Sequence, residues 1–169
     1  MKIDVSKSPL ENVVGLVVEV NPGKTLTAAQ VTAGAPSVID TGLGRGNTDL
    51  LLTAVVGQGK AGSFTFSYTR LALDKGVAVA PTSVQVVDGD DQAASFAKVI
   101  TALGLKASDV TSSAYTAPVD TETDGTITVS AVADSLLYVG ADLVITLTFA
   151  DPQLDEEFTV KTANGFEPA

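Results

Sequence analysis

The sequence predicts an α+β protein of two tandem β-α-β-β modules, each a helix packed on a small, mainly antiparallel sheet. Three observations predict it: an internal repeat, an amphipathic helical pattern ahead of each copy, and two alternating strand patterns behind each copy. Leu26-Thr27-Ala28-Ala29-Gln30-Val31-Thr32 matches Leu105-Lys106-Ala107-Ser108-Asp109-Val110-Thr111 at Leu, Ala, Val and Thr. The order of patterns around the two heptads is the same. The chain therefore divides into a first module at 1–80, a second at 81–150 as its pseudo-repeat, and an acidic C-terminal extension or edge strand at 151–169.

Short strands at Lys2–Val5 and Ser83–Val87 are expected to open the two modules. Ser8-Pro9 then starts a helix, since Ser caps, Pro is preorganised for the first turn and Glu11 suits the positive end of the helix dipole. Leu10, Val13, Val14, Leu16, Val17 and Val20 fall on one face, and Asn21-Pro22-Gly23 stops the run. In the second module Asp90 or Asp91 caps, Ala93, Phe96, Ala97, Ile100 and Leu103 recur at spacings of three and four, and Gly104 ends the helix. Each shared heptad reads as a short turn leading into irregular polar chain.

Strand pairs follow. Leu50, Leu52 and Ala54 alternate with Asp49, Leu51 and Thr53, Gly57–Gly62 turns the chain, and Phe64, Phe66 and Tyr68 alternate with Ser63, Thr65 and Ser67. Ile127, Val129 and Ala131, a turn near Asp134-Ser135, and Leu143, Ile145 and Leu147 repeat the pattern. Asp74-Lys75-Gly76 and Ala80-Pro81 mark the boundary between modules. Beyond Asp151-Pro152, the acids Asp155, Glu156 and Glu157 precede Phe158–Thr162, which has the alternation of one more edge strand.

Composition narrows the chemistry. The 169 residues include no Cys, His or Trp and one Met, the first residue, which removes most side chains used in nucleophilic, metal and proton-transfer catalysis. No catalytic, cofactor-binding or metal-ligating residue is assigned, and the chain is not expected to be an enzyme. A 45% apolar content supports a packed core. A formal charge of −10 argues against nucleic acid and anionic membrane surfaces as partners. The start has no apolar leader and no run is long enough to span a bilayer, so synthesis in a cytoplasm without a signal peptide is expected.

Several motifs imitate functional loops. Gly42–Gly46 and Gly57–Ser63 look like phosphate-binding fragments, but both lead into strands where such loops open a helix. Asp88-Gly89-Asp90-Asp91 has the acid density of a calcium loop, yet Val99 stands at the twelfth position, where an EF-hand needs Glu. Helix capping accounts for these acids. A glycosidase-type carboxylate pair has no residues placed to form it, and an unrecognised acid site would lie most naturally between the modules. Arg70 ends a strong strand, either anchoring a partner's carboxylate or lying solvated. The loop Leu136-Leu137-Tyr138 is more apolar than a turn requires. Arg70, Leu136, Leu137, Tyr138 and Phe158 are thus the candidate partner contacts.

Leu26–Thr32, Asn47–Val55, Gly62–Tyr68 and Thr69-Arg70-Leu71 together resemble a family of tailed-bacteriophage virion structural proteins built of tandem α/β modules. The second module departs from that pattern where Thr146-Leu147-Thr148-Phe149 replaces the Tyr-x-Arg-Leu ending. The resemblance implies a non-catalytic virion protein, foremost a head decoration protein docking on the assembled shell, with a collar, baseplate or tail component as the alternative. Its implied partners are the major capsid protein or other virion proteins, and itself as a homo-oligomer. An adhesin-like module that binds a host surface is a second reading, and it would present exposed loop aromatics, for which Tyr115 and Tyr138 are the candidates.

Overall fold

The computed structural model describes residues 2–39, 46–73, 82–87, 89–119 and 123–149. Helix α1 spans Pro9–Glu19, and a 3-10 turn at Ala28–Gln30 leads to β1 (Val31–Ala33), β2 (Ser37–Val38), β3 (Thr48–Ala54), β4 (Ser63–Tyr68) and β5 (Leu71–Ala72). Then come β6 (Ser83–Val86), α2 (Gln92–Leu103), a second 3-10 turn at Ala107–Asp109, β7 (Val110–Thr116), β8 (Gly125–Ala131), β9 (Tyr138–Val139) and β10 (Leu143–Phe149). The fold is α+β.

Both helices start and stop as their caps dictate. Ser8 Oγ accepts from the Glu11 N–H while Glu11 Oε2 accepts from the Ser8 N–H, so two orphan donors of the first turn are satisfied reciprocally. Asp91 Oδ1 accepts from the Ala94 N–H at 2.8 Å. Gly104 ends α2 in the left-handed region at φ 61°, open to a residue without Cβ, and its N–H and that of Leu105 close on Thr101 O and Ile100 O.

The two heptads form equivalent structures. The Gln30 and Asp109 N–H groups each donate back three residues, to Thr27 O and Lys106 O. The Gln30 and Asp109 carbonyls accept from Val55 and Val132, the residues just past β3 and β8. Each heptad thus starts a strand that pairs antiparallel with the next long strand, β1 with β3 and β7 with β8. Irregular chain was expected here. The Thr- and Ser-rich run Val110–Thr116 instead forms a seven-residue strand, with a bulge between Ser112 and Tyr115, because only one face of an outer strand must be apolar.

The first sheet places β3 at its centre, with β1 and β2 along one edge and β4 along the other. The second runs β6-β10-β8-β7, and β6 joins β10 in parallel. Of the two strands expected ahead of the helices, Ser83–Val86 forms and Lys2–Val5 does not. Buried Asn12 explains the difference. Its Oδ1 accepts from the Asp4 N–H at 2.8 Å and its Nδ2 donates to Asp4 O at 2.9 Å, which consumes the main-chain groups a strand would pair. Ser95, the fourth residue after its own cap as Asn12 is after Ser8, is too short to reach back, and β6 is left to pair.

Two apolar clusters form under the helices. Val13, Val14, Val17, Val31, Leu50, Leu52 and Tyr68 make one, and Val84, Val86, Val99, Ile127, Val129, Ile145 and Leu147 belong to the other. Leu136 packs against the first cluster from the second half of the chain, and Ile3 and Leu73 join the second from the first half. The expected boundary residues at 74–76 and 80–81 and the expected strand at 158–162 lie outside the described residues.

Gly125 opens β8 where a Cβ would overlap the backbone of Thr116, Ala117 and Pro118. Gly125→Ala is expected to destabilise the protein by about 1–3 kcal/mol, the ordinary cost of overpacking. Urea unfolding with an unchanged m-value checks this, and an unchanged midpoint would contradict it.

Candidate functional site

The site is the junction between the two sheets, assembled from the end of β4 outward. Gly46, at φ 56°, lets the chain before β3 lie against the Tyr68 backbone, where any Cβ would overlap Tyr68. That approach sets Asn47 beside Arg70. Asn47 Oδ1 accepts from the Arg70 N–H at 2.9 Å and its Nδ2 donates to Arg70 O at 3.1 Å, so one side chain brackets the residue at both ends. Thr48 Oγ1 donates to Asn47 Oδ1 and accepts from Arg70 Nε at 2.8 Å.

Arg70 is only 5% exposed. Its Nη1 crosses the junction and donates to Ser135 O at 2.8 Å. Neither sequence-based expectation holds, since a strand end in solvent and a free anchor for a partner's carboxylate both require exposure. Beside it the Tyr68 hydroxyl donates to Leu136 O at 2.8 Å, and the Leu71 N–H donates to Leu137 O where β5 pairs in parallel with β9. Leu137 and Tyr138 are buried and Leu136 is half-buried. The apolar loop expected to meet a partner is therefore spent on the chain's own first half. Phe158 lies outside the described residues.

The far side of the junction is held by an acid that sequence reasoning missed. Buried Asp109 receives Ser135 Oγ at 2.7 Å and the Leu137 N–H at 2.9 Å on the same oxygen, Oδ2. Residues 135–137 thus give a carbonyl to a buried cation and their donors to a buried carboxylate. The repeat carried the signal, because Asp109 aligns with Gln30, whose Nε2 reaches only the exposed Gln58 O. An acid in place of an amide at one of two equivalent turns marks the turn with extra donors to satisfy.

Burial pushes the Tyr68 hydroxyl up to about 12, with the Asp109 charge adding to the rise and the Arg70 charge opposing it. Burial also raises Tyr138, and the Lys106 N–H donated to its oxygen opposes the shift. Tyr115 donates to Asp90 O from within β7. Neither aromatic expected at a loop tip therefore stands free.

A groove of about 660 Å³ opens beside this junction, lined by Ile3, Leu16, Thr69, Leu71, Leu105 and Leu136 among others. Of the polar residues that line it, Asn12, Asn47, Tyr68, Arg70 and Tyr138 are engaged in the bonds above. Among the described residues no buried side-chain polar atom lacks a partner, and no cluster of His, Cys, Asp or Glu is placed to hold a metal ion. The Asp90 and Asp91 carboxylates act on the backbone of Val87 and Ala94, with Lys98 as a further partner of Asp90. The arrangement can bind apolar groups and rigidify the chain, and it holds no poised acid-base pair.

Arg70→Met is expected to lower stability by about 2–4 kcal/mol, since Ser135 O and Thr48 lose a buried donor. Thermal or urea unfolding reads the effect, and a loss below about 0.5 kcal/mol, the range of ordinary surface substitutions, would contradict the assignment. A second expectation concerns alkali. Tyr68 holds its proton to higher pH in the folded chain than in the unfolded one, where about 10 is usual. Stability is therefore intact below pH 10 and falls as pH rises from there through about 12, because the unfolded state releases the proton first. Tyr68→Phe should flatten that decline, and an identical alkaline slope in both proteins would refute it.

No curated protein and no solved structure matches the chain. One family model matches residues 3–167, from the segment held by Asn12 through the acidic C-terminal stretch. The chain belongs to the family of unknown function DUF7941.

Proposed function

We propose that this chain is a non-catalytic structural protein of a tailed-bacteriophage virion, acting as a head decoration protein that docks on the assembled shell. The observation that carries the structural role is the junction itself. The side chains there with the chemistry to act on a substrate are committed within the fold: Arg70 and Tyr68 reach from the first half to Ser135 O and Leu136 O of the second, and Asp109 and Tyr138 bond the second half to itself. A group spent on a carbonyl or backbone N–H of its own fold is not poised to transfer a proton or attack a substrate.

The virion assignment rests on the resemblance carried by Leu26–Thr32, Asn47–Val55 and Gly62–Leu71. An acidic chain with exposed apolar residues at Val38, Leu51, Val56 and Val144 suits docking on a protein surface. Repeated weak contacts on a lattice would add up to firm attachment.

Sedimentation of the purified protein with isolated capsids, followed by cryo-EM of the pelleted particles, tests this reading. Decoration predicts co-sedimentation and regular density on the outer shell. Density confined to the neck, baseplate or fibres, or failure to co-sediment, would reject the head assignment.

A further inference from the structure

The second sheet is completed by a strand that its own β-hairpin does not supply. β6 precedes α2 in sequence and follows β5, and it covers the outer edge of β10 in parallel, with Ser83 opposite Thr146 and Val86 opposite Phe149. The strand order of the two sheets is otherwise the same, with β1, β3 and β4 corresponding to β7, β8 and β10. Thr48 and Gly125 open the central strands, and their partners are Tyr68 and Leu147. Ser67 therefore stands where Thr146 stands, and the Thr146 N–H is bonded toward the β6 side, to Thr82 O.

Nothing among the described residues fills that place beside β4. The register of β4 on β3, with the Ala54 N–H donated to Gly62 O, turns the main-chain groups of Ser63, Thr65 and Ser67 outward. The segment ahead of α1 is held away by Asn12, and its Val5 carbonyl accepts from Lys106 Nζ on the second half. The junction groove opens at Tyr68 and Thr69, the end of this same edge. At the other end Phe64 is 44% exposed and borders a smaller cleft with Lys24 and Lys60, both exposed and neither in an ion pair among the described residues. The edge carries Ser, Phe and Thr, with no Pro or charge on the strand to discourage pairing.

We propose that the outer edge of β4 is the docking site for residues 155–161 of a second copy of this chain, laid parallel to β4 as β6 is laid on β10. Three observations select this occupant. Within one chain, the residues that follow the first sheet complete the second, so the residues that follow the second sheet are the ones to complete the first sheet of another copy. The chain continues for twenty residues past Phe149, at 150–169, and the family match extends through 167. Phe158 and Val160 have the spacing of Val84 and Val86, the two buried residues of β6.

Charge sets the direction. A parallel segment meets Lys24 and Lys60 with its N-terminal part and the apolar groove with its C-terminal part, because β4 runs from the lysine cleft toward the junction. Asp155, Glu156 and Glu157 precede Phe158 and Val160 in that order. Such a contact joins unlike surfaces of identical chains and propagates head to tail, closing to a ring or extending as a filament. It stands independently of the virion reading, since it requires no second protein.

The absence of native Cys makes the test direct. Full-length Thr65→Cys and Thr159→Cys proteins are mixed under mild oxidation and resolved without reductant. The expected product is the mixed disulfide dimer, well above either homodimer, and the chain carrying both substitutions should give a ladder of oligomers. A cross-link confined within one chain, or a yield no higher than with Val56→Cys in place of Thr65→Cys, would overturn the proposal. Sedimentation velocity of the disulfide-free protein supplies a second reading. Reversing Lys24 and Lys60 to Glu should weaken self-association about tenfold, and adding Glu156→Lys and Glu157→Lys should restore it. Association unchanged by the reversals, not restored by the compensating pair, or absent in the unsubstituted chain would equally overturn it.

Discussion

A buried guanidinium is the constraint around which the two halves are arranged. The buried guanidinium of Arg70 offsets the cost of leaving water only if its donors are met, so Thr48 on one side and Ser135 on the other must stay where they are. Asn47 fixes the Arg70 backbone, and Gly46 permits the approach that brings Asn47 there. Asp109 holds the opposite face of the segment that Arg70 grips. Displacing one half from the other strands the buried cation, while Asp109, bonded to Ser135 and Leu137 within the second half, keeps the segment that Arg70 grips in place.

The repeat supplies the scaffold and its divergence supplies the joint. Both heptads bend through the same 3-10 turn and receive the same bond from the chain beyond the next strand. Where the copies differ, the difference does something specific. Gln30 against Asp109 separates a turn open to solvent from a turn that holds buried donors. Asn12 against Ser95 separates a leading segment folded back on its helix from one that joins a sheet. The pair Tyr68 and Arg70 reaches across the junction, whereas the residues in those places in the second copy, Leu147 and Phe149, belong to the strand beneath β6.

Both helices, their caps and the two hairpins were legible in the sequence because their signals are local: Ser8-Pro9 with Glu11, Asp91, Gly104, and the alternation around Leu50, Phe66, Ile127 and Ile145. The strand β7 was not, because Thr, Ser and Ala on an outer strand carry little hydrophobic alternation. Residues 2–5 misled for a different reason, since their alternation is genuine but the competing partner, Asn12, lies eight positions from Asp4. Arg70 and Leu136–Tyr138 were singled out correctly as unusual and assigned to the wrong surroundings. Sequence marks a cation at a strand end and an apolar loop; it does not show that the cation bonds Ser135 O at the start of that loop, 65 positions away.

The central claim is that this joint makes the two sheets one cooperative unit, and native-state hydrogen exchange tests it most directly. The account predicts that the slowest amides of the first sheet, at Leu50 and Leu52, and those of the second, at Ile127 and Val129, exchange with one common opening free energy. Two distinct values, one for each sheet, would show that the halves open separately and would contradict it.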